Sequence, residues 1–184
     1  MKIKGRHITI KQALCLTIYY TLLYYLPSSV CPIPLIGKTS RKLRYICCRN
    51  IFKHCGINVN IERKAKFGDG LDIEIGDNSG IGINASIPSN TKIGNNVMMA
   101  PNCYIFSSNH LFNDINIPMI KQGVSARKQT IIEDDVWIGR NVLITPGKII
   151  KKGSIIAAGC VLCKDFDEYS IIGGNPSRLI RTRI

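Results

Sequence analysis

The chain has 184 residues, which is enough for one domain with a sizeable core and an added segment. Its hydrophobic content of 45% excludes a wholly disordered chain. The formal net charge of +13 is unevenly spread, because residues 1–66 hold 13 Lys and Arg against one acid, whereas residues 67–184 hold 12 against 11. A segment this basic predicts an anionic partner: a membrane surface, a nucleic acid or a phosphate-rich substrate.

Residues 1–56 are predicted to form a basic helical appendage around an uncharged run at residues 13–37. The helix-compatible part of this run, residues 13–26, is shorter than the about 20 residues that cross a bilayer, and three prolines interrupt any continuation. Basic residues lie on both sides of it: Lys2, Lys4, Arg6 and Lys11 before, and Lys38, Arg41, Lys42, Arg44 and Arg49 after.

Two interpretations of this appendage stay open. Residues 1–49 make peripheral contact with an anionic membrane surface, since an apolar, Tyr-rich helix with basic flanks suits the headgroup region. Alternatively, the helix packs on the body of the protein or on a neighbouring subunit. A nucleic-acid partner is not expected, because the basic residues form no recognised binding motif.

Eight cysteines are scattered along the chain, and no cleavable signal with a small-residue processing site is evident. We therefore expect a cytoplasmic protein with free thiols. Two groupings resemble metal or redox sites only loosely: the pair Cys160 and Cys163, and the cluster Cys47, Cys48, His54 and Cys55. Neither has the second pair or the gap that characterises a zinc site, so no metal is expected.

From Ile75, and again from Ile132, the chain divides into six-residue repeats. The first position is Ile in ten of twelve hexads and the fifth is mostly small or β-branched, as inward-facing positions of a stacked coil require. The fourth position holds residues that tolerate a left-handed backbone: Asn78, Asn84, Asn90, Asn96, Asn102, Ser108, Asp135, Asn141, Gly147, Gly153, Gly159 and Asp165. Because three corners close a triangular coil, the pattern predicts an all-β parallel solenoid, with coils over 75–110 and 132–167 and an irregular entry coil over 57–74.

The hexads resemble those of the hexapeptide-repeat acyltransferases, as do three longer motifs: DDVWIGRNVLITPG, IIAAGCVLCKD and IIGGNPSRLIR. Within that superfamily the sequence is most similar to the maltose, galactoside and colanic-acid O-acetyltransferase branch. The resemblance covers residues 57–184 and implies a left-handed parallel β-helix, an exception to the usual crossover hand, with an N-terminal helical appendage and a short C-terminal tail or helix. It also implies a homotrimer in which acetyl-CoA and acceptor meet between neighbouring subunits.

The repeat breaks immediately after His110, where a loop is inserted at residues 111–131. The family's catalytic histidine lies where a loop leaves the coil, which implies that His110 is a general base for an acceptor hydroxyl. Asp114 either orients the imidazole of His110 or is an ordinary loop acid. Direct transfer without an acyl-enzyme is expected, and Cys103, a thiol nearby in sequence, is assigned to the core.

The resemblance also implies binding positions. Gly139, Arg140 and Ala158 match residues that contact the pantetheine of CoA, and Lys164 matches a lysine near its adenosine phosphates. Arg178 contacts a phosphate or belongs to a solvated basic tail. For the acceptor, Asn84 falls near a binding position but also fills a left-handed corner, and Trp137 lines the cleft or packs at the subunit seam.

These residues predict an acetyl-CoA-dependent O-acetyltransferase that acts on a sugar hydroxyl in cell-surface polysaccharide synthesis. The acceptor is expected to be a carbohydrate, either free or lipid-linked, and the enzyme to work in the cytoplasm or at the inner face of the cytoplasmic membrane. Serine, antibiotic and amino-sugar acetyltransferases of the same fold are alternatives, as is a non-catalytic structural β-helix. A zinc-dependent carbonic anhydrase of this fold is excluded, since its metal needs three histidines and the repeat region supplies one.

Overall fold

The computed structural model describes residues 2–3 and 6–183. Lys4, part of the predicted basic flank, lies outside the described residues. The N-terminal part contains an antiparallel pair, β1 (Lys2–Ile3) and β2 (Arg6–His7), followed by helix α1 (Ile10–Ile18), a π-helix (Tyr19–Leu23) and helix α2 (Pro34–Ile51). Across the described ranges, each helix is too short or too polar to cross a membrane.

Helix α1 begins with a capping box. Thr9 Oγ1 accepts a hydrogen bond from the Gln12 N–H at 3.1 Å, and Gln12 Oε1 accepts one from the Thr9 N–H at 3.0 Å. The helical stretch therefore covers residues 10–23 rather than the expected 13–26. Helix α2 falls within the predicted helical appendage, but its bounds were not predicted. It begins at Pro34, because proline is tolerated in a first helical turn, where its missing N–H costs nothing.

The remaining chain is built from fifteen short strands and one helical turn. In chain order these are β3 (His54–Cys55), β4 (Asn60–Ile61), β5 (Glu74–Ile75), β6 (Gly80–Ile81), β7 (Lys92–Ile93), β8 (Met98–Met99), β9 (Tyr104–Ile105), α3 (Met119–Gln122), β10 (Ile131–Ile132), β11 (Trp137–Ile138), β12 (Leu143–Ile144), β13 (Ile149–Ile150), β14 (Ile155–Ile156), β15 (Val161–Leu162), β16 (Ser170–Gly173) and β17 (Arg178–Thr182).

These strands form the three faces of a triangular prism. Face 1 stacks β3, β5, β7, β10 and β13 in parallel. Face 2 stacks β4 and β6, then β8, β11, β14 and β16, with the Gly80 N–H donating to the Val97 carbonyl at 3.0 Å where the two groups meet. Face 3 stacks β9, β12 and β15. The edge between faces 2 and 3 is called edge 2/3 below, and that between faces 3 and 1 is called edge 3/1.

The hexad pattern is confirmed at most positions. First-position side chains are buried inside the prism: Ile75, Ile81, Ile87, Ile93, Met99, Ile105, Ile132, Ile138, Ile144, Ile150, Ile156 and Leu162. Fourth-position residues with positive φ form the corners: Asn78, Asn84, Asn96, Asn102, Asp135, Asn141, Gly147, Gly153 and Gly159. Each corner turns the chain onto the next face because these residues adopt the left-handed region at low cost.

Three fourth-position residues depart from this pattern, since Asn90, Ser108 and Asp165 do not have positive φ. Each lies where the regular coil is interrupted. Asn90 follows Pro88, whose carbonyl accepts the Thr91 N–H at 3.2 Å in a different turn. Ser108 starts the inserted loop and Asp165 follows the last hexad strand.

The ends of the solenoid also differ from expectation. The first coil starts at β3, inside the segment predicted as residues 1–56, so His54 and Cys55 belong to the β-helix rather than to the appendage. At the other end, β16 continues face 2 and β17 folds back antiparallel to it. A hairpin therefore closes the stack where a tail or helix was expected.

The π-helix and helix α2 pack on the first coil through buried polar contacts. The Tyr19 hydroxyl donates to the Ala65 carbonyl at 2.8 Å, and its ring centroid lies 4.6 Å from that of Phe67. Arg44 is fully buried and donates from Nε to the Ile61 carbonyl at 2.6 Å. One face of the appendage is thus part of the body of the protein, and its opposite face is exposed.

Candidate active site

The inserted loop leaves the solenoid as an antiparallel arm that carries His110. The chain runs outward over residues 107–111 and returns over residues 123–128, with His110 paired to Val124. Main-chain hydrogen bonds join the two halves: Lys128 N–H to Ser107 O at 2.7 Å, Ser125 N–H to Asn109 O at 2.8 Å and Leu111 N–H to Gly123 O at 3.0 Å. This ladder holds the backbone of His110 in place although its imidazole is exposed.

A cavity of about 260 Å³ opens between this arm and the next coil at edge 3/1. Its walls include His110, Phe112 and Lys128 from the arm and Thr145, Pro146 and Lys148 from the coil corner. The cavity lining contains two lysines and neither Asp nor Glu, so it favours negatively charged ligand groups.

The two lysines of this cavity were not identified by sequence analysis. Lys128 returns to the solenoid across the inserted loop, and its Cβ lies only 2.9 Å from where a Cβ on Gly147 would be. A glycine at that corner therefore leaves room for the lysine side chain. No local motif marks Lys128 or Lys148, because they approach His110 only after the loop folds back.

Asp114 does not pair with His110 within the described residues. Its carboxylate accepts the Asn116 N–H at 2.9 Å, its N–H donates to Gln122 Oε1 at 3.2 Å, and Gln122 Nε2 donates to the Asp114 carbonyl at 2.8 Å. These contacts shape the turn that leads into α3. Asp114 thus takes part in the loop tip, as the second of its two predicted roles would have it.

Arg140 and Ala158 lie on successive coils at edge 2/3, where both residues are exposed. The Arg140 carbonyl accepts the Gly159 N–H at 2.8 Å, which fixes one coil above the other. In the described part of the chain, the Arg140 and Ala158 N–H groups have no backbone acceptor. Two neighbouring amides are therefore available to an extended ligand that follows this edge.

Gly139 is placed differently from these two residues. It is buried, and its N–H donates to the Ile156 carbonyl at 2.8 Å. A Cβ at this position would lie 2.6 Å from the Ala158 nitrogen and 2.8 Å from the Ile156 oxygen. The glycine is thus required for close stacking of the coils, and its amide is already engaged.

Lys164 and Arg178 lie on different sides of the C-terminal end of the stack. Arg178 pairs with Gly173 at the end of face 2, beside edge 2/3, whereas Lys164 follows β15 at the far end of face 3, beside edge 3/1. Both are exposed, and Lys164 Nζ lies 5.5 Å from the ring centroid of Phe166. Arg178 therefore offers positive charge at the end of edge 2/3, as a phosphate contact would require, and Lys164 offers it at edge 3/1.

Asn84 belongs to a ladder of corner amides on edge 2/3. Its Nδ2 donates to Asn102 Oδ1 at 3.1 Å, and Asn102 Nδ2 donates to Asn141 Oδ1 at 3.0 Å. The Asn84 N–H donates to the Arg63 carbonyl at 3.0 Å, so both the N–H and the Nδ2 of Asn84 serve the corner. Its backbone carbonyl oxygen is left to receive a hydrogen bond from a hydroxyl of the acceptor substrate. Trp137 lies on the outer side of face 2 between Met98 and Ile155, where it is 48% exposed.

The cysteine groupings do not form sites in the described chain. Cys48 is fully buried, Cys47 donates to the Cys15 carbonyl and His54 is exposed on β3. Cys160 points into the core whereas Cys163 is exposed, and all eight thiols are free. Over residues 2–3 and 6–183, no three His, Cys, Asp or Glu side chains gather so as to hold a metal ion.

The candidate residues occupy two different edges of the prism. His110 and its cavity lie at edge 3/1, and Arg140, Ala158 and Asn84 lie at edge 2/3. A single chain does not bring the two groups together. A joint site therefore requires edge 3/1 of one chain to lie beside edge 2/3 of another.

Comparisons with known proteins agree with this architecture. Residues 72–107 match the family described as bacterial transferase hexapeptide (six repeats), and residues 129–164 match the hexapeptide repeat of succinyl-transferase. A Saccharomyces cerevisiae protein whose name assigns it acetyltransferase activity is 38% identical over 135 residues, which cover 72% of this chain and 67% of the relative. Other curated relatives are matched over 26–39% of their own length.

Two solved structures share the fold over nearly the whole chain. A maltose O-acetyltransferase from Clostridium difficile 630 is 26% identical, with a TM-score of 0.72 over 94% of this chain and 86% of that one. A galactoside acetyltransferase in complex with coenzyme A is 27% identical, with a TM-score of 0.73 over 96% of this chain and 84% of that one.

Fold and candidate site together define an acyltransferase built on a left-handed parallel β-helix. The chain belongs to the hexapeptide-repeat acyltransferase superfamily, in its maltose and galactoside O-acetyltransferase branch.

Proposed function

We propose that the protein transfers the acetyl group of acetyl-CoA to a sugar hydroxyl in cell-surface polysaccharide synthesis, with His110 as the general base. The observation that carries this proposal is the exposed imidazole of His110 in a cavity of about 260 Å³. A sugar acceptor is supported by the names of the maltose and galactoside O-acetyltransferases. The free thiols suit a reducing compartment, so the reaction is assigned to the cytoplasm.

In the proposed reaction the neutral imidazole of His110 takes the proton of the acceptor hydroxyl as its oxygen attacks the thioester carbonyl. The new C–O bond gives a tetrahedral oxyanion, which donors of the site stabilise. Collapse of this intermediate breaks the C–S bond, and the leaving thiolate takes the proton from the imidazolium. Direct transfer then needs no cysteine nucleophile, in keeping with the burial of Cys103.

For the donor, we assign acetyl-CoA to edge 2/3. The free N–H groups of Arg140 and Ala158 are suited to the amide carbonyls of pantetheine, and Arg178 at the end of this edge to a phosphate. Lys164 lies at edge 3/1, so on this proposal it would reach the phosphates of a CoA bound to a neighbouring chain. The positive charge of Lys128 and Lys148 beside His110 favours the developing oxyanion. For Gly139 the proposed part is indirect, because it lets the coils approach closely enough to align the two amides.

We propose a homotrimer, since it would place edge 3/1 of each chain beside edge 2/3 of the next. Exposed apolar side chains on faces 2 and 3 support this: Met98, Tyr104, Trp137 and Leu143. On this proposal Trp137 packs at or near the subunit seam. Sedimentation should give three times the 20.5 kDa chain mass, and a monomer with full activity would overturn the shared site.

The deciding experiment compares the purified wild type with His110→Ala and the control His54→Ala. His54 is also exposed but lies on face 1. At about 100 times its dissociation constant, CoA should stabilise all three proteins by about 2.7 kcal/mol. With acetyl-CoA and a panel of sugars, His110→Ala should transfer the acetyl group roughly 100- to 10,000-fold more slowly than wild type. The control His54→Ala should transfer it at the wild-type rate.

Full activity of His110→Ala would rule out His110 as the general base. If CoA does not stabilise the wild type, the proposed donor site is ruled out. The panel also includes serine, an amino sugar, chloramphenicol and a macrolide. A preference for one of these acceptors over every sugar would replace the sugar hydroxyl by that alternative.

A further inference from the structure

The helical appendage exposes a continuous apolar stripe on the side opposite to its buried face. Along α1 and the π-helix, Ile10 is 84%, Leu14 58% and Leu22 57% exposed, and Ile18 and Tyr25 extend the row. The intervals of three and four residues keep these side chains on one side. The opposite side, with Leu16, Tyr19 and Leu23, is buried on the solenoid.

The threonines exposed on these helices do not add free hydroxyl donors to this surface. Thr17 Oγ1 donates to the Ala13 carbonyl at 3.0 Å, Thr21 Oγ1 to the Thr17 carbonyl at 2.7 Å and Thr39 Oγ1 to the Leu35 carbonyl at 2.8 Å. Each hydroxyl proton is satisfied by the preceding helical turn, so it needs no water molecule. The surface is therefore suited to contact an apolar phase.

Helix α2 extends the apolar stripe. Cys47 Sγ contacts the Cys15 carbonyl at 3.0 Å, so α1 lies along the Cys47 side of α2. Ile36 and Leu43 precede Cys47 by 11 and 4 residues, which places them on that side of the helix, and both are exposed. Leu35 and Ile46 are exposed next to them. The two helices thus share one apolar surface, which we call the helical hairpin surface.

Basic side chains border this surface along α2 and at the start of α1. Lys38, Lys42 and Arg49 are exposed along the neighbouring side of α2, and Lys11 is exposed on α1. The first 61 residues contain no Asp or Glu. The first acid, Glu62, is buried beside Arg44, so it does not offset the border charges.

We infer that the helical hairpin surface docks peripherally onto an anionic lipid surface. The apolar stripe would enter the boundary between headgroups and acyl chains, and the lysines and Arg49 would contact the headgroup phosphates. A second copy fits less well, because pairing the surface with itself would bring Lys38, Lys42 and Arg49 against their own copies without any acid between them. Such docking at the inner face of the cytoplasmic membrane would hold the enzyme near acceptors carried on lipid. It does not depend on the acetyl-transfer chemistry proposed above.

Co-flotation of the full chain with vesicles tests this inference. Vesicles of phosphatidylcholine with about 30% phosphatidylglycerol are compared with phosphatidylcholine alone, and binding is expected only to the anionic vesicles at low salt. The variant Leu14→Gln/Leu22→Gln should bind at least about tenfold more weakly, since two apolar side chains no longer enter the bilayer. Lys38→Gln/Lys42→Gln should lose about fivefold for each charge removed.

The matched control is Ile115→Gln, which replaces an apolar residue that is 95% exposed in the inserted loop. It should float like wild type, and the thermal midpoints of all variants should agree, because every substituted side chain is exposed. Sedimentation without vesicles is measured in parallel. Absence of wild-type flotation, or equal losses with Ile115→Gln, would overturn the inference. If wild type does not bind vesicles, and sedimentation shows a smaller assembly for Leu14→Gln/Leu22→Gln than for wild type and the other variants, the surface instead forms contacts between copies of the chain.

Discussion

Arg44 Nη2 lies 3.8 Å from Glu62 Oε2, and this buried ion pair joins helix α2 to the first coil of the β-helix. Arg44 also donates to the carbonyls of Ile61 and Pro27, at 2.6 and 3.1 Å. Glu62 accepts hydrogen bonds from the hydroxyl and the N–H of Ser29. The only acid among the first 66 residues is therefore used inside the protein, so no acid of this segment offsets the positive charge on its surface.

Replacing Arg44 by Met should destabilise the protein, because Glu62 would remain buried without its charge partner. We expect the free energy of unfolding of Arg44→Met to fall by about 3–5 kcal/mol. The double variant Arg44→Met/Glu62→Gln should lose less than the sum of the single losses, since it removes both charges. Urea unfolding of wild type, Arg44→Met, Glu62→Gln and the double variant, all at the same protein concentration, measures these losses. Strictly additive losses would contradict the pairing.

The ionisation of Glu62 predicts a loss of stability in acid. Burial alone would raise the pKa of the Glu62 carboxyl, but hydrogen bonds from Ser29, Asn60 and the Arg63 N–H outweigh it and hold the pKa below its ordinary value. Since the folded pKa is lower than the unfolded value of about 4.3, the contribution is complete above that pH and is lost as pH falls further.

This pH dependence is measured by unfolding wild type and Glu62→Gln from about pH 7 to about pH 3. The advantage of wild type over the variant should shrink below about pH 4. A constant difference over the whole range would show that the ionisation of Glu62 is not involved.

Gly139→Ala should destabilise the β-helix, because the added Cβ would meet backbone atoms of the next coil at 2.6 and 2.8 Å. Overpacking of this kind costs about 1–3 kcal/mol. The control is Gly159→Asn on the same edge, since Gly159 has φ 72° with open space around it and Asn141 fills the equivalent corner one coil earlier. Thermal unfolding compares the two, and equal midpoints would remove the packing role of Gly139.

Cys163 should react with iodoacetamide faster than the buried cysteines. Hydrogen bonds from the Ser177 side chain lower the pKa of the exposed Cys163 thiol, whereas burial raises the pKa of Cys103 to about 11 and that of Cys47 to about 12. Reactivity follows the thiolate fraction and exposure. Peptide mapping during labelling gives the order, and Ser177→Ala should slow the reaction at Cys163. Modification of Cys103 first would contradict this order.

The β-helix could be predicted from the sequence because its rules are local. A first-position Ile that is buried and a fourth-position Asn that turns the corner each act within one hexad, so the repeat alone indicates coils, corners and the loop after His110. The bounds and the buried face of helix α2 were not predicted, because this face is apolar only in part and Arg44, a charged residue, lies fully buried on it. Its burial depends on Ile61 and Glu62, which belong to the following coil.

For the candidate site, the sequence by itself determined that a loop interrupts the repeat immediately after His110, whereas the positions assigned to CoA rest on the family resemblance and stay predictions. Only the tertiary structure decided that Lys128 and Lys148 line the His110 cavity, that Asp114 serves the loop tip and that Gly139 is a packing residue. It also separated His110 from Arg140 and Ala158 onto two edges of the prism. The physical reason is that repeats specify local backbone geometry, whereas contacts between a loop and a coil depend on where the whole chain returns.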